Sequence, residues 1–302
     1  MKRVLVTGYM GMVGNRFMEL MGTKYQITSA GRTQGSDMII ELTREPSVLS
    51  AVQRARPEVV VNFAAVTDVD ACEREREDEK GAAYKTNVLG PTYLARACKQ
   101  VRARLIHIST DYVFAGDKQS SLYGESDAPR PINWYGTTKC LGEQAVLAEL
   151  GEAACIVRIE VPFVARFAGK KDLVRKIIET LHAGKQFTAV SDNRMTPTFI
   201  DDIVAALSVL IEHNSTGVYH VAGTSAHSTY EVAQLVAKTF RLDERLVISQ
   251  THEEFQRSRA GVLRPQYSGL ATRRFAAEFG AGILHTMPEN LQTMKQQLEA
   301  AA

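Results

Sequence analysis

The sequence predicts an α/β fold, a doubly wound Rossmann-type parallel sheet with a smaller C-terminal α/β lobe. An apolar stretch, residues 3–7, leads into a glycine-rich turn and a helical pattern, the order of a phosphate-binding βα unit. Apolar stretches and helical patterns then alternate to about residue 160, where the alternation loosens. We therefore expect a dinucleotide-binding domain in residues 1–160 and a substrate-binding lobe in residues 161–302, with the segment near 196–225 returning to the first domain.

Length and charge exclude several classes of protein. The chain has 302 residues, of which 45% are hydrophobic, enough for a large core. Its 36 basic and 34 acidic residues leave a net charge of +2. So small a net charge provides no field for nucleic acid or an anionic membrane, so we expect small molecules or other subunits as partners.

Cysteine usage and the N-terminus predict a reduced, cytoplasmic protein. The four cysteines show neither C-x-x-C spacing nor a nearby histidine pair, which argues against zinc and against a disulfide framework. The apolar run after Met1-Lys2-Arg3 stops at Thr7-Gly8, too early for a signal peptide. We predict no metal site in this chain.

The glycine-rich turn is Thr7-Gly8-x-x-Gly11-x-x-Gly14. Glycines let the backbone approach a pyrophosphate that rests on the following helix N-terminus. Such a run is weak evidence alone, and a plain glycine turn is the alternative; its position directly after the first strand favours dinucleotide binding. The predicted cofactor-binding residues of this turn are Gly8, Met10, Gly11, Met12, Val13 and Gly14.

The next strands refine the cofactor prediction. The second strand, residues 26–29, ends at Ala30-Gly31-Arg32, where a site for NAD would carry an acid. Arg32 instead suits the 2′-phosphate of NADPH, with NADH as the alternative cofactor and a solvated surface arginine as the alternative reading. A third strand over residues 38–43 would place Leu42 near the adenine. After a fourth strand, residues 59–62, the small Ala64 and Ala65 suit close cofactor contact and core packing equally well.

Residues 104–139 carry the candidate chemistry. A buried strand, residues 104–108, leads into Ser109-Thr110-Asp111, and Tyr135 and Lys139 follow at helical spacing. Residues four apart share one helix face, and an ammonium beside a phenol favours the phenolate and lowers the pKa of the phenol. Taken alone, the pair is better read as two exposed side chains; the serine/threonine loop at the strand end and the glycine turn upstream favour the functional reading. His107, in mid-strand, is expected to be a core residue.

Three motifs together resemble the extended short-chain dehydrogenases/reductases, specifically the dTDP-4-dehydrorhamnose reductase group. They are the glycine turn, the string Ser-Thr-Asp-Tyr-Val-Phe-x-Gly at 109–116, and Tyr-x-x-x-Lys at 135–139. Shorter matches extend the resemblance along nearly the whole chain: Asn62-x-Ala64-Ala65, Thr86-Asn87, Thr196-Pro197-Thr198 and Arg264-Pro265.

The resemblance implies an oxidoreductase of dTDP-rhamnose biosynthesis that uses NADPH to reduce a 4-keto group on a nucleotide-linked deoxysugar. It implies that Tyr135 donates the proton, that Thr110 binds the carbonyl and that Lys139 binds the nicotinamide ribose. It also implies that Asn87 braces the active-site strands. A homodimer and a requirement for Mg²⁺ are left open. The implied substrate-binding residues are Val66, Thr67, Asp111, Tyr112, Val113 and Arg264.

One stretch departs from the group. After Arg158 the group usually has a Thr-Ser-Trp-like sequence with the Trp near the sugar, whereas this chain has Ile-Glu-Val-Pro-Phe at 159–163. That stretch resembles the non-catalytic regulatory β-subunit of methionine adenosyltransferase. The alternative function is therefore a cofactor-bound regulatory module.

Overall fold

A seven-stranded parallel sheet organises the computed structural model, which describes residues 1–259 and 261–300. Its strands are β1 (Arg3–Thr7), β2 (Gln26–Gly31), β3 (Met38–Ile39), β4 (Val59–Asn62), β5 (Arg104–Thr110), β6 (Ala154–Ile159) and β10 (Gly217–His220). They lie in the order β10-β6-β5-β4-β1-β2-β3. The order reverses beside β1, as in doubly wound folds, and the predicted fold class is confirmed.

Twelve helices lie in the described part of the chain, and most of them cover the two faces of the sheet. They are α1 (Met12–Met21), α2 (Glu45–Ala55), α3 (Val69–Arg74), α4 (Ala82–Tyr84), α5 (Gly90–Val101), α6 (Trp134–Leu150), α7 (Leu173–His182), α8 (Ile200–Glu212), α9 (Thr229–Phe240), α10 (His252–Arg257), α11 (Arg273–Phe279) and α12 (Met287–Glu299). None of these helices combines the length and the apolarity that crossing a membrane requires.

Strand residues alternate between two apolar layers. Val4 and Val6 of β1 face one layer, which α1, α8 and α11 complete. Leu5, between them, faces the opposite layer, formed with α2, α5 and α6. Because successive strand side chains point to opposite faces, an unbroken apolar strand is what a sheet covered on both sides requires.

The C-terminal residues divide between the sheet and a second apolar cluster. Helix α8 packs on α1, with Arg16 donating two hydrogen bonds of 2.7 Å to Asp201, and β10 pairs with β6. Helices α7, α9 and α12 form the other cluster. It includes two short parallel pairs: β7 (Pro162–Phe163) with β9 (Thr198–Phe199), and β8 (Phe187–Val190) with β11 (Val247–Gln250). The lobe boundary near residue 160 stays a prediction.

Three predicted strands have different limits in the structure. The second ends at Gly31 rather than residue 29. The third ends at Ile39 rather than residue 43, because Glu41 forms a turn in which its carboxylate accepts from the Thr43 amide at 3.2 Å. The fifth continues beyond Ile108, because Ser109 and Thr110 still pair with β6. Thr110 is therefore held by the sheet itself.

Helix α6 approaches the end of β5 closely enough to need a glycine. Asn133 caps the helix by accepting from the Gly136 amide at 2.9 Å. A Cβ atom on Gly136 would lie 2.1 Å from the Tyr112 carbonyl oxygen. This contact brings the first turn of α6, with Tyr135, against the loop that follows β5.

Candidate active site

Thr110 and Tyr135 meet at the carboxyl end of β5. The Thr110 hydroxyl donates to Asp111 Oδ1 at 2.8 Å and accepts from the Tyr112 amide at 3.3 Å. Tyr135 lies beside it, on the first turn of α6, which packs against the Tyr112 carbonyl. Ligands of open α/β sheets bind at this edge, so the two hydroxyls are placed to act on one ligand atom.

Tyr135 is buried, with 9% of its surface exposed, so the alternative of an exposed pair is wrong. Its ring packs edge-on against Tyr112, with centroids 5.5 Å apart. Burial raises the pKa of Tyr135, and the neighbouring Thr110 hydroxyl opposes that rise. The predicted lowering of this pKa by Lys139 is wrong for this structure. The phenol is a proton donor that stays protonated at neutral pH.

Lys139 lies deeper than the sequence suggests, with 2% of its surface exposed. Its ammonium donates to the Ile108 carbonyl at 2.7 Å and lies 3.4 Å from His107 Nε2. Burial lowers the pKa of Lys139 to about 8, against the opposing charge of Glu143. Lys139 is therefore a cation near neutral pH that becomes an amine in mildly alkaline solution.

His107 is a core residue, as predicted, but it also touches the site. Asn62 Oδ1 accepts from Thr7 Oγ1 at 2.6 Å and from the Ala64 amide at 3.1 Å. The Asn62 amide nitrogen therefore faces His107 Nδ1, 2.9 Å away. His107 accepts there, which places its hydrogen on Nε2, towards Lys139. Sequence reasoning missed this series of hydrogen-bonded side chains because its members come from three separate strands.

The glycine turn fits a pyrophosphate. Gly8 has φ +68°, and a Cβ there would lie 2.4 Å from the Ala64 amide nitrogen, so the turn and the end of β4 approach as backbone on backbone. At Gly11, which caps α1, a Cβ would meet the Gly8 carbonyl at 3.2 Å. Met10 is 61% exposed beside the turn, and Met12 and Val13 begin the helix. The helix N-terminus is thus open to an anion.

The adenine side of this cleft is formed by β2 and β3. Arg32 is exposed at the end of β2. The nearby acid, Asp37, accepts from both the Ser29 amide and hydroxyl at 2.8 and 2.7 Å, so it is engaged in the loop rather than directed to a ribose. Leu42 is half-buried beside Gly90, with Leu42 Cβ 3.5 Å from where a Cβ of that glycine would lie. Ala64 and Ala65 are half-buried at the end of β4.

The predicted substrate residues divide into two groups. Val66 is half-buried, with both backbone groups held by Asn87, and Thr67 beside it is exposed. Tyr112 is half-buried next to Tyr135. The Val113 side chain is fully buried in an apolar cluster, because the turn after Thr110 points it into the core, and the assignment of Val113 to the substrate stays a prediction.

Arg264 reaches this cleft from the C-terminal part of the chain. Its guanidinium donates to Asp70 at 2.7 Å, across from the end of β4. The Leu263 carbonyl accepts from Asn133 at 2.9 Å, which ties the same loop to the start of α6. The loop therefore closes over the edge of the sheet that carries Thr110 and Tyr135.

The departing stretch at 159–163 is ordered by polar contacts. Val161 has φ +39°, rare for a branched residue, and Thr198 holds the bend through the carbonyls of Glu160 and Val161. Glu160 is fully buried. Across residues 1–259 and 261–300 we find no group of three His, Cys, Asp or Glu side chains placed to hold a metal ion.

Trp134, the only tryptophan of the chain, also escaped sequence reasoning. It packs in one apolar cluster with Tyr135 and Cys72, and its indole nitrogen is buried without a hydrogen-bond partner in the described structure. No spacing rule marks such a residue. It provides an intrinsic fluorophore adjacent to the site.

Fold and site together define the class: an NAD(P)-dependent oxidoreductase of the extended short-chain dehydrogenase/reductase type. The family model for the RmlD substrate binding domain matches residues 1–299. The chain therefore belongs to that family, and the resemblance drawn from its motifs is confirmed.

Named relatives agree with this assignment. A dTDP-4-dehydrorhamnose reductase of Streptomyces griseus is 35% identical over 284 residues, covering 91% of this chain and 87% of the relative. Its counterpart in Mycobacterium tuberculosis (strain CDC 1551 / Oshkosh) is 32% identical, with 91% and 86% covered. A solved dTDP-4-dehydrorhamnose reductase of Bacillus anthracis in complex with NADP has a TM-score of 0.87 at 29% identity, with 98% and 99% covered. These reductases support the enzyme reading over the regulatory alternative.

We predict that nucleotide affinity falls as pH rises through about 8, the pKa of Lys139, because the cation is lost there. The dissociation constant of NADPH, followed by quenching of Trp134 fluorescence, should rise between about pH 7 and pH 9.5. Lys139→Met should bind more weakly at neutral pH and lose this dependence. The exposed Lys99→Met is the control. Equal pH dependence of NADPH affinity in wild type and Lys139→Met would show that Lys139 is not the titrating group.

Proposed function

We propose that this protein uses NADPH to reduce the 4-keto group of a deoxysugar linked to a nucleotide, as dTDP-4-dehydrorhamnose reductases do. The observation that carries the proposal is the meeting of Thr110 and Tyr135 beside Tyr112 at the carboxyl end of β5, with Lys139 buried next to them. Two hydroxyls that converge on one point suit a carbonyl oxygen that gains negative charge. The relatives named above support the nucleotide-linked substrate.

The residues of this chain divide the chemical work. Tyr135, kept protonated by burial, donates a proton to the carbonyl oxygen as the C–O bond becomes single. Thr110 donates a second hydrogen bond to the same oxygen and fixes its position. Lys139, held by the Ile108 carbonyl, binds the nicotinamide ribose.

The cofactor proposal follows from the cleft. The glycine turn and the N-terminus of α1 would hold the pyrophosphate, and Arg32 the 2′-phosphate. When bound, NADPH supplies the hydride. We assign Val66, Thr67, Tyr112 and Arg264 to the substrate; in support, Tyr112 packs on Tyr135, and the loop of Arg264 is tied to the start of α6. A homodimer and a requirement for Mg²⁺ stay predictions.

We predict that Tyr135→Phe lowers turnover by roughly 10²- to 10⁴-fold, the usual contribution of a general acid. The substitution removes one hydroxyl and keeps the ring that packs on Tyr112, so the fold and NADPH affinity should survive. The measurement is NADPH oxidation with dTDP-4-dehydrorhamnose. Tyr93→Phe, on α5, is the matched control. Turnover of Tyr135→Phe within a few-fold of wild type would show that another group donates the proton.

We predict that Arg32→Ala weakens NADPH by about ten-fold, or about 1.5 kcal/mol, because an arginine–phosphate pair is charge-assisted. NADH lacks the 2′-phosphate, so its affinity should change little. Titration of both cofactors against wild type and the variant measures the difference. Arg54→Ala, an exposed arginine on α2, is the control. An equal loss for the two cofactors would exclude a contact with the phosphate.

A further inference from the structure

Two buried carboxyl groups, Asp111 and Glu160, lie close together: they directly follow Thr110 and Ile159, which are paired across β5 and β6. Asp111 is 3% exposed and Glu160 is fully buried. Among the described residues neither carboxyl forms an ion pair, and the nearby Arg158 is already committed to Glu143 at 2.6 Å. Two like charges without a cation cannot both persist in a low-dielectric interior, so one of the two groups holds a proton.

Hydrogen-bond donors distinguish the two groups. Glu160 accepts from the Thr196 amide at 2.8 Å, from the Leu270 amide at 3.3 Å, from the Ser268 hydroxyl at 2.6 Å and from the Thr196 hydroxyl. A carboxylate with four donors is well stabilised as an anion. Glu160 is therefore the ionised member of the pair.

Asp111 has a much poorer set of donors. Thr110 donates to its carboxyl at 2.8 Å, whereas two amides and two hydroxyls donate to Glu160. With the anion placed on Glu160, the proton of the pair belongs on Asp111. In agreement, burial and the charge of Glu160 raise the pKa of Asp111 well above its usual value.

The state of Asp111 decides what Thr110 can do. Thr110 gives its only hydrogen to Asp111 Oδ1, 2.8 Å away, although the proposed reaction needs that hydrogen on the ketone. An ionised Asp111 would retain it through a charge-assisted bond, about twice as strong as a neutral one. A neutral carboxylic acid is a weaker acceptor. Two further titratable groups interact with Asp111, the phenols of Tyr112 and Tyr135. Burial raises the pKa of each phenol, so both are neutral.

We propose that Asp111 works as a neutral carboxylic acid, and that Glu160 is a positioning residue whose buried charge keeps it neutral and so leaves the Thr110 hydrogen free for the ketone. This role rests on the proposed reduction. It gives the departing stretch at 159–163 a function in the site: Glu160 acts through the protonation of Asp111 without touching the substrate.

Infrared spectroscopy tests the protonation without any substrate. At neutral pH the wild type should show the carbonyl stretch of a buried carboxylic acid, which Asp111→Asn removes. Labelling of aspartate side-chain carboxyls with ¹³C should move this band to lower wavenumber. A band that the label does not shift would place the proton on Glu160. Identical spectra of wild type and Asp111→Asn in this region would mean that Asp111 is ionised. Either result overturns the proposal.

The role of Glu160 is tested by introducing Glu160→Gln into the wild type and into Asp111→Asn. Glutamine removes the buried charge that keeps Asp111 protonated, so Asp111 would ionise and retain the Thr110 hydrogen. We expect the acid band to disappear and kcat to fall about ten-fold with the KM for NADPH unchanged. Asparagine mimics the neutral acid as a weaker donor, so Asp111→Asn should be several-fold slower than wild type but respond less than two-fold to Glu160→Gln.

The remaining outcomes are decisive as well. An equal loss of kcat on Glu160→Gln in the wild type and in Asp111→Asn would show a purely structural effect and overturn the role of Glu160. Persistence of the acid band in Glu160→Gln would overturn it as well. Glu152→Gln, an exposed glutamate, is the matched control, and circular dichroism verifies the fold. If no ketone is reduced, the infrared result still decides the protonation of Asp111. Failure of the proposed function is therefore distinguishable from failure of the proposal for Asp111.

Discussion

The contact between Gly136 and the Tyr112 carbonyl is the constraint on which the site depends. A Cβ atom at that position would lie 2.1 Å from the carbonyl oxygen, so no other residue allows α6 to approach the end of β5 this closely. The Asn133 cap fixes where the helix begins. With start and distance set, Tyr135 falls against Thr110, and Lys139, one turn later, reaches the Ile108 carbonyl. The sheet supplies the other half of the geometry, because Thr110 is still paired within β5.

Burial, more than pairing of charges, sets the chemistry of these groups. It raises the pKa of Tyr135 and lowers that of Lys139 to about 8, so the phenol keeps its proton while the ammonium is easily neutralised. The same desolvation forces Asp111 and Glu160 to share a proton. Each of these polar groups is tied to a neighbour whose hydrogen-bonding direction is fixed. In such a network the position of one hydrogen determines the next.

The sequence predicted the sheet well, because apolar strands buried on both sides leave unbroken runs such as Val59–Val61. It also located Thr110, Tyr135 and Lys139, since glycine turns and helical spacing are local patterns. Strand ends were harder: β3 stops early because of the Glu41 turn, whose geometry depends on its own side chain. The burial of the Val113 side chain was also hard to foresee, because one turn of the chain decides whether a side chain faces the cleft or the core.

Contacts between distant segments were beyond the sequence. His107, Asn62 and Thr7 meet only because β5, β4 and β1 are neighbours in the sheet. Glu160 was visible only as a departure from the family pattern, since its partners Thr196 and Ser268 lie 36 and 108 residues away. Neither periodicity nor spacing carries such information, and a single sequence offers no covariation to replace it.

The most direct test of the account is NADPH oxidation, followed by absorbance, with a panel of 4-keto deoxysugars. The panel should contain dTDP-linked and UDP-linked sugars and a free 4-keto sugar without a nucleotide. The account predicts turnover with the dTDP-linked ketone and at most slow turnover with the free sugar. Tight binding of NADPH without oxidation by any nucleotide-linked ketone would contradict it.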